Sequence, residues 1–303
     1  MLGADVCLEG FGEQQQQSYT QEQEDHMPRE AVQAAKEADI VVLAIGEDRL
    51  QSGEATSNAN IRIPEVQEAL LDRIAEVNQN IVVVLFSGRP LDIREINKKA
   101  KAILQVWLPG TEGARAIADT LFGKYNPSGK LPMSFPYCVG QVPVHYNEYS
   151  TGRPHVEGKD KDRFRSKYLD IPNEPLYPFG YGLSYTTFEV SDIHLDRTWM
   201  DTSGQIEAEV TVKNTGNCTG TETLQLYIHD IAASVVRPVR ELKDFKKVTL
   251  RPGEEKKVVF TITEQQLLFL TENGIYESEA GEFEIFIGKD SLTDNKASFV
   301  LKK

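Results

Sequence analysis

Three short apolar runs, each followed by a helix-patterned stretch, constrain the first part of this chain more than any other feature. They are DIVVLAIGE at 39–47, NIVVVLFSG at 80–88 and AILQVWLPG at 102–110. Each is bounded by glycine or a polar residue and is rich in β-branched side chains, so each reads as a short buried strand. None approaches the roughly 20 apolar residues needed to span a bilayer. PREAVQAAKEA at 28–38 opens on proline and continues with good helix formers, which predicts a helix start at Pro28. PEVQEALLDRIAEVN at 64–78 sets Val66, Ala69, Leu70, Ile74 and Val77 at helical spacing. LDIREINKKA predicts a short helix, and TEGARAIADTLFG at 111–123 one with Thr111 as N-cap and Gly123 as its end. The Gln/Glu-rich stretch 13–25 reads as a loop. This rhythm is that of a parallel sheet covered on both faces. Ligands bind such sheets beyond the carboxyl ends of the strands, which here means the loops 46–63, 87–90 and 109–113.

The character changes near residue 124. NPSGKLPMSFP is dense in proline and glycine, and 137–176 shows no sustained periodicity. A stretch that long is expected to be functional or to wrap another domain. After residue 188 the pattern alternates with period 2. FEVSDIHLD, IEAEVTVKNTG, TETLQLYIHD, ELKDFKKVTL, EKKVVFTIT, GEFEIFIGK and ASFVLKK give about seven strands, as in an immunoglobulin-like sandwich. The expected fold class is therefore α/β plus all-β: an incomplete parallel α/β sandwich followed by an immunoglobulin/fibronectin III-like β-sandwich.

Charge and composition exclude several function classes. With 46 acidic and 33 basic residues the formal net charge is -13, which repels phosphate backbones and argues against nucleic acid as a partner. Cys7, Cys138 and Cys218 form no CxxC pair, and the five histidines lack ligand spacing, so no metal site is expected. SGRP at 87–90 lacks the GxGxxG and Walker patterns and reads as a structural strand-to-helix turn. No cofactor is implied and no membrane segment is present. The opening MLGADVCLEGFGEQQQQ has no basic n-region or apolar h-region of a signal peptide.

Taken in order, several segments resemble glycoside hydrolase family 3. They are AKEADIVVLAIGE, SGEATSNANIRIP, VLFSGRPLDI, QVWLPGTEGARAIADTLFGKYNPSGKLPMSFP, YPFGYGLSYTTF, VKNTGNCTGTETLQLYI and RPVRELKDFKKVTLRPGE. The resemblance implies a three-part enzyme: an N-terminal barrel, an α/β sandwich and a fibronectin type III-like domain. It divides this chain into the α/β sandwich at 1–136, truncated at its start, a wrapping segment at 137–188, and the fibronectin-like domain at 189–303. In the family the barrel supplies a nucleophilic aspartate in a Ser-Asp-Trp setting. That triplet is absent here, where the tryptophans are Trp107 and Trp199. The barrel and the sandwich's first strand and helix are expected to be missing, and Met1 reads as an internal start. The full-length parent is expected to be a periplasmic or extracellular retaining exo-β-glycosidase that hydrolyses terminal β-D-glucosyl residues, with a β-glucoside or oligosaccharide as substrate and the barrel as partner in cis or in trans. The alternative is a non-catalytic accessory or sugar-binding module that completes a separate barrel subunit.

Retaining glycosidases pair a nucleophilic carboxylate with a second carboxyl that protonates the leaving oxygen and later activates water. In many family members the second group lies on a sandwich loop, and Glu54 in Gln51-Ser52-Gly53-Glu54 occupies that place, after a glycine free to turn tightly. Taken on residue type alone, Glu54 is an ordinary solvated loop carboxylate. Glu47 is the competing acid, and otherwise a loop residue bonding backbone amides. Ser52 and Arg62 are candidate sugar contacts, with a surface residue as the plain reading of the arginine. Ser57 and Asn58 are weaker polar candidates, and either otherwise caps a local turn. Trp107 is expected in the core. His145, Tyr146 and Tyr149 are expected to pack against the absent barrel. Tyr177, Phe179, Tyr181 and Tyr185 are expected to join domains.

Overall fold

The computed structural model describes residues 21–48, 50–155 and 162–303, with side chains from Pro28 onward. Cys7 and residues 13–20 lie outside the described residues. The three apolar runs form β1 (Val41–Gly46), β2 (Ile81–Phe86) and β3 (Ala102–Trp107), paired in parallel in that order. The helices between and around them are α1 (Gln21–Glu37), α2 (Glu65–Val77), α3 (Arg94–Lys99) and α4 (Gly113–Leu121). One face of the sheet, Ile45 with Ile81, Val83 and Leu85, packs with Ala35 of α1, Leu71 and Ile74 of α2, Ile96 of α3 and Phe135.

Four details differ from expectation. Helix α1 begins at Gln21 and carries Pro28 inside it, because the Gln/Glu run ahead of the proline is itself helix-forming. Helix α4 is capped at Glu112 without a side-chain bond, so Thr111 is not its N-cap. On α2 the inward arc is Leu70, Leu71, Ile74 and Ala75, while Val66 is 78% exposed and Ala69 and Val77 face solvent. Two overlapping apolar arcs share Leu70 and Ile74, and Gln67 selects between them by binding the end of β1. The described residues also do not cover the sheet throughout: Ile40, just before β1, and Val42 and Ala44 on the same side of β1 are exposed.

The C-terminal part is a two-sheet sandwich. Its strands are β4 (Phe188–Val190), β5 (His194–Leu195), β6 (Trp199–Asp201), β7 (Gln205–Asn214), β8 (Gly220–Asp230), β9 (Glu241–Leu250), β10 (Glu255–Thr263), the short β11 (Phe269–Leu270) and β12 (Tyr276–Glu277), β13 (Gly281–Gly288) and β14 (Lys296–Lys302). One sheet runs β10-β7-β4, with β5 also on β7; the other runs β6-β14-β13-β8-β9. The period-2 pattern becomes burial directly: Ile206, Ala208, Val210 and Val212 of β7 meet Leu224, Leu226, Phe260, Phe283, Ile285 and Phe299 in one core. FEVSDIHLD splits into two short strands, and β6 joins β14 in parallel, a pairing its short sequence did not signal.

The long irregular segment is tied to both parts. Residues 131–135 exchange backbone bonds with 177–181 (Leu131 N to Tyr181 O 2.8 Å, Phe135 N to Tyr177 O 2.8 Å), and Val239 N donates to Glu148 O at 2.9 Å. Tyr146 stacks on Phe179 at 4.2 Å and lies edge-on to Tyr227 of β8, so it packs against the chain's own sandwich. Tyr177 donates to Asn97 of α3 and Tyr185 to the Thr120 carbonyl of α4.

The revised α2 face gives a stability test. Leu71→Ala should cost about 2–5 kcal/mol, whereas Val66→Ala should stay within about 0.5 kcal/mol. Urea unfolding followed by circular dichroism on each variant measures the difference; equal losses would show that the helix is rotated from the pose described.

Candidate active-site edge

Strands β1 and β2 end level with each other, Gly46 opposite Phe86. The residues that follow them therefore emerge side by side at the carboxyl edge of the sheet. Gly46 has φ +142°, and a Cβ there would lie 1.8 Å from the Phe86 carbonyl oxygen, so only glycine fits. Its N–H donates to Gln67 Oε1 at 2.8 Å and its carbonyl accepts from Gln67 Nε2 at 3.1 Å, so an α2 side chain stands in for a strand partner. Glu47 N donates to Phe86 O at 2.9 Å.

From this junction Glu47 turns inward. Its side chain is only 4% exposed; Oε1 lies 3.0 Å from Arg89 Nε, and Oε2 accepts from Gly88 N at 3.3 Å. Arg89 then reaches over the loop that follows β1: Nη2 donates to Gln51 O at 2.6 Å and to Thr56 O at 3.0 Å. Within that loop Thr56 Oγ1 donates to Gly53 O at 2.6 Å and Asn58 Nδ2 to Gln51 O at 3.0 Å. Gly53 (φ +132°) and Ala55 (φ +60°) both adopt left-handed backbone and flank Glu54. For Ala55 that conformation is strained, and the loop's own bonds hold it. Glu54 is exposed, and among the described residues no hydrogen bond or ion pair engages its carboxylate.

The other candidates sit as follows. Ser52 lies against the SGRP turn: a Cβ on Gly88 would meet Ser52 Oγ at 1.8 Å and Leu108 Cδ1 at 3.9 Å, so all three edge loops converge at Gly88. Arg62 is bidentate to Glu68 of α2 (Nε 3.1 Å, Nη2 2.7 Å), which raises its already high pKa, chiefly through that hydrogen bond. Next to it, Ile61 O accepts from Asp92 N at 2.9 Å, and buried Asp92 pairs with Arg94 at 2.9 Å, which fixes the far end of the loop. Trp107 is half-buried, its ring 5.8 Å from Phe135. His145 and Tyr149 are exposed on the wrapping segment. Glu54, Ser52 and Glu47 thus share one edge through Arg89 and Gly88, while Arg62 is committed to α2. Arg89 carries the edge's polar network, and sequence reasoning passed over it as part of a turn. Its signal was positional: an arginine just past one strand of a parallel pair, with an acid just past the other. Among the described residues no grouping of His, Cys, Asp and Glu suits a metal ion, and no helix is long and apolar enough to cross a membrane.

A glycosyl hydrolase family 3 C-terminal domain matches residues 5–185, and a fibronectin type III-like domain matches 222–291. The chain belongs to glycoside hydrolase family 3. It is 49% identical over 272 residues to the periplasmic β-glucosidase of Salmonella typhimurium, covering 90% of this chain and 35% of that protein. It is 40% identical over 270 residues to thermostable β-glucosidase B of Acetivibrio thermocellus, covering 88% of this chain and 36% of that protein. Among solved structures, the β-glucosidase of Listeria innocua in complex with glucose superposes with a TM-score of 0.87 at 40% identity, covering 94% of this chain and 39% of that one. The chain thus spans little more than a third of the length of the relatives it matches.

Gly46→Ala should disturb the edge from its base. The added methyl collides with backbone in a conformation that L-residues avoid, so a loss of at least about 1–3 kcal/mol is expected. Thermal unfolding checks it; a variant as stable as wild type would show that the β1 terminus is not as tightly held as described.

Proposed function

We propose that this chain supplies the acid/base loop of a retaining exo-β-glycosidase, a β-glucosidase that releases terminal β-D-glucosyl residues. The nucleophile would lie on an N-terminal barrel outside this sequence. One observation carries the reading. Of the acids that follow β1 at the carboxyl edge of the sheet, Glu47 is buried and engaged by Arg89 and Asp48 accepts from the Leu50 and Gln51 amides, while Glu54 is presented to solvent on a pinned turn with its carboxylate uncommitted among the described residues. A general acid and base must be free to give and take a proton at the sugar oxygen, and Glu54 meets that requirement. The relatives named above are β-glucosidases, and one is periplasmic, which supports a periplasmic or extracellular parent.

In this mechanism Glu54 protonates the departing glycosidic oxygen as the barrel nucleophile attacks the anomeric carbon. It then removes a proton from the water that releases the sugar. Ser52, beside Gly88 on the same edge, is placed as a polar contact. Glu47 and Arg62 are each bound to a protein partner in this state, so contact with sugar by either would require exchanging that partner. We propose three segments: the α/β part at 1–136, a wrapping segment at 137–188 and the fibronectin-like part at 189–303. The bare side of β1 supports further polypeptide packing there, in cis or in trans.

These 303 residues alone, lacking the nucleophile, should hydrolyse aryl β-glucosides at background rate; turnover near 1 per second by a preparation free of host glycosidase, a rate typical of a working enzyme, would overturn the reading. The role of Glu54 is tested in a chimera in which this chain replaces the matching third of the Salmonella typhimurium relative. Glu54→Ala should slow glycosylation from cellobiose by about 10²–10⁴-fold. Glycosylation from dinitrophenyl glucoside, whose leaving group departs unprotonated, should change much less. Azide should accelerate the second step and yield β-glucosyl azide. Near-wild-type cellobiose turnover by Glu54→Ala, with azide rescue of Glu47→Ala instead, would move the assignment to Glu47.

A further inference from the structure

We infer that Glu47 and Arg89 form a latch that holds the 51–56 loop in one pose, making Arg89 a positioning residue for the acid/base step. The inference rests on the reading of Glu54 given above. One guanidinium joins three chain segments: Nε pairs with Glu47 at the end of β1, and Nη2 binds the carbonyls of Gln51 and Thr56. Those two carbonyls bracket Glu54, two and three residues away on either side. The loop has no regular secondary structure of its own; Gln51 is tied to Asp48 just before it, and the described hydrogen bonds that join Gln51 and Thr56 to another segment of the fold run through this arginine. Without it, the left-handed turn at Gly53 and Ala55 keeps only the bonds internal to the loop.

Glu47 in turn fixes the arginine. Its carboxylate is nearly buried and accepts from two donors, Arg89 Nε and Gly88 N. A glutamine there cannot match both, because turning its amide oxygen to one donor turns its NH₂ toward the other. Lysine in place of Arg89 offers a single charged point rather than a planar fork, so it cannot span Glu47 and two carbonyls at once. Both substitutions are near in size to the originals, and both should free the loop while leaving the sheet intact.

The test uses the chain as it stands, with Glu-C protease under native conditions. The exposed Glu54–Ala55 bond is its reporter. If the latch holds the loop, Arg89→Lys and Glu47→Gln should each release the fragment beginning at Ala55 at least about tenfold faster than wild type, because cleavage follows the population of the open loop. Arg115→Lys, on the exposed side of α4, should cut at the wild-type rate. Unchanged cleavage in both latch variants overturns the latch. The chimera supplies the second readout. Arg89→Lys should lower kcat on cellobiose by about 10- to 100-fold, with KM within about threefold, and should barely slow glycosylation from dinitrophenyl glucoside. An equal fall for every leaving group would overturn the positioning role. If Glu54→Ala itself shows no leaving-group dependence, the acid/base reading fails separately, and the protease result still decides whether the latch exists.

Discussion

The level ending of β1 and β2 is the constraint from which the candidate site follows. Parallel pairing places Gly46 opposite Phe86, so the next residues of each strand emerge at the same height. Gly46 is the sharp point of that arrangement, because its backbone nearly touches the Phe86 carbonyl and its own N–H and C=O are held by Gln67. With the strand ends fixed, Glu47 and the Gly88–Arg89 turn face each other. A salt bridge between residues 42 positions apart in sequence becomes a contact between immediate neighbours in space. The loop carrying Glu54 is organised by that pair rather than by any element of its own.

Two glutamates seven residues apart have been placed in opposite environments. Burial of a carboxylate is tolerable only with compensating donors, and Glu47 has a guanidinium and a backbone N–H. Glu54 stays exposed, with no partner for its carboxylate among the described residues. Division of labour between nearby carboxyls by environment is a general device for acid/base chemistry. Here the two environments differ through loop geometry, with left-handed residues on both sides of the exposed Glu54.

The strands of both parts were legible in the sequence because their signals are local. Glycine-bounded β-branched runs gave β1–β3, and period-2 alternation gave β7, β8, β10, β13 and β14. The misreadings have physical causes of the same kind. The arc of α2 is ambiguous in sequence because Leu70 and Ile74 belong both to an arc with Val66 and Val77 and to one with Leu71 and Ala75, and only tertiary contact with Gly46 decides. Helix α1 was started too late because Pro28 looks like an N1 residue. The Gln/Glu run ahead of that proline is helix-forming but also reads as a polar loop, and the fold decides between the two. Glu54 was named through family resemblance, since its residue type and loop position are commonplace. Arg89 was missed because its partners come from a different strand and a different loop, and a salt bridge across a parallel pair leaves no spacing pattern.

The two sides of the α/β part are finished differently. Toward the sandwich, the seam is closed by polar pairs that range from buried to exposed. Lys130 bonds Glu222 at 2.7 Å and the Gly182 carbonyl at 3.0 Å, Gln225 donates to the Gly180 carbonyl at 3.1 Å, and Asn126 donates to Thr219 O at 3.0 Å. Such pairs tolerate little sliding, because a shifted lysine or glutamine would leave a buried partner unsatisfied. They therefore fix orientation as well as contact. At β1, by contrast, a row of apolar side chains, Ile40 and Val42 among them, is exposed among the described residues. The specific seam is thus built into the described residues, whereas the apolar row is left uncovered by them. A fold that invests its directional bonds in that seam will hold its sandwich in place even where the apolar row on β1 is uncovered.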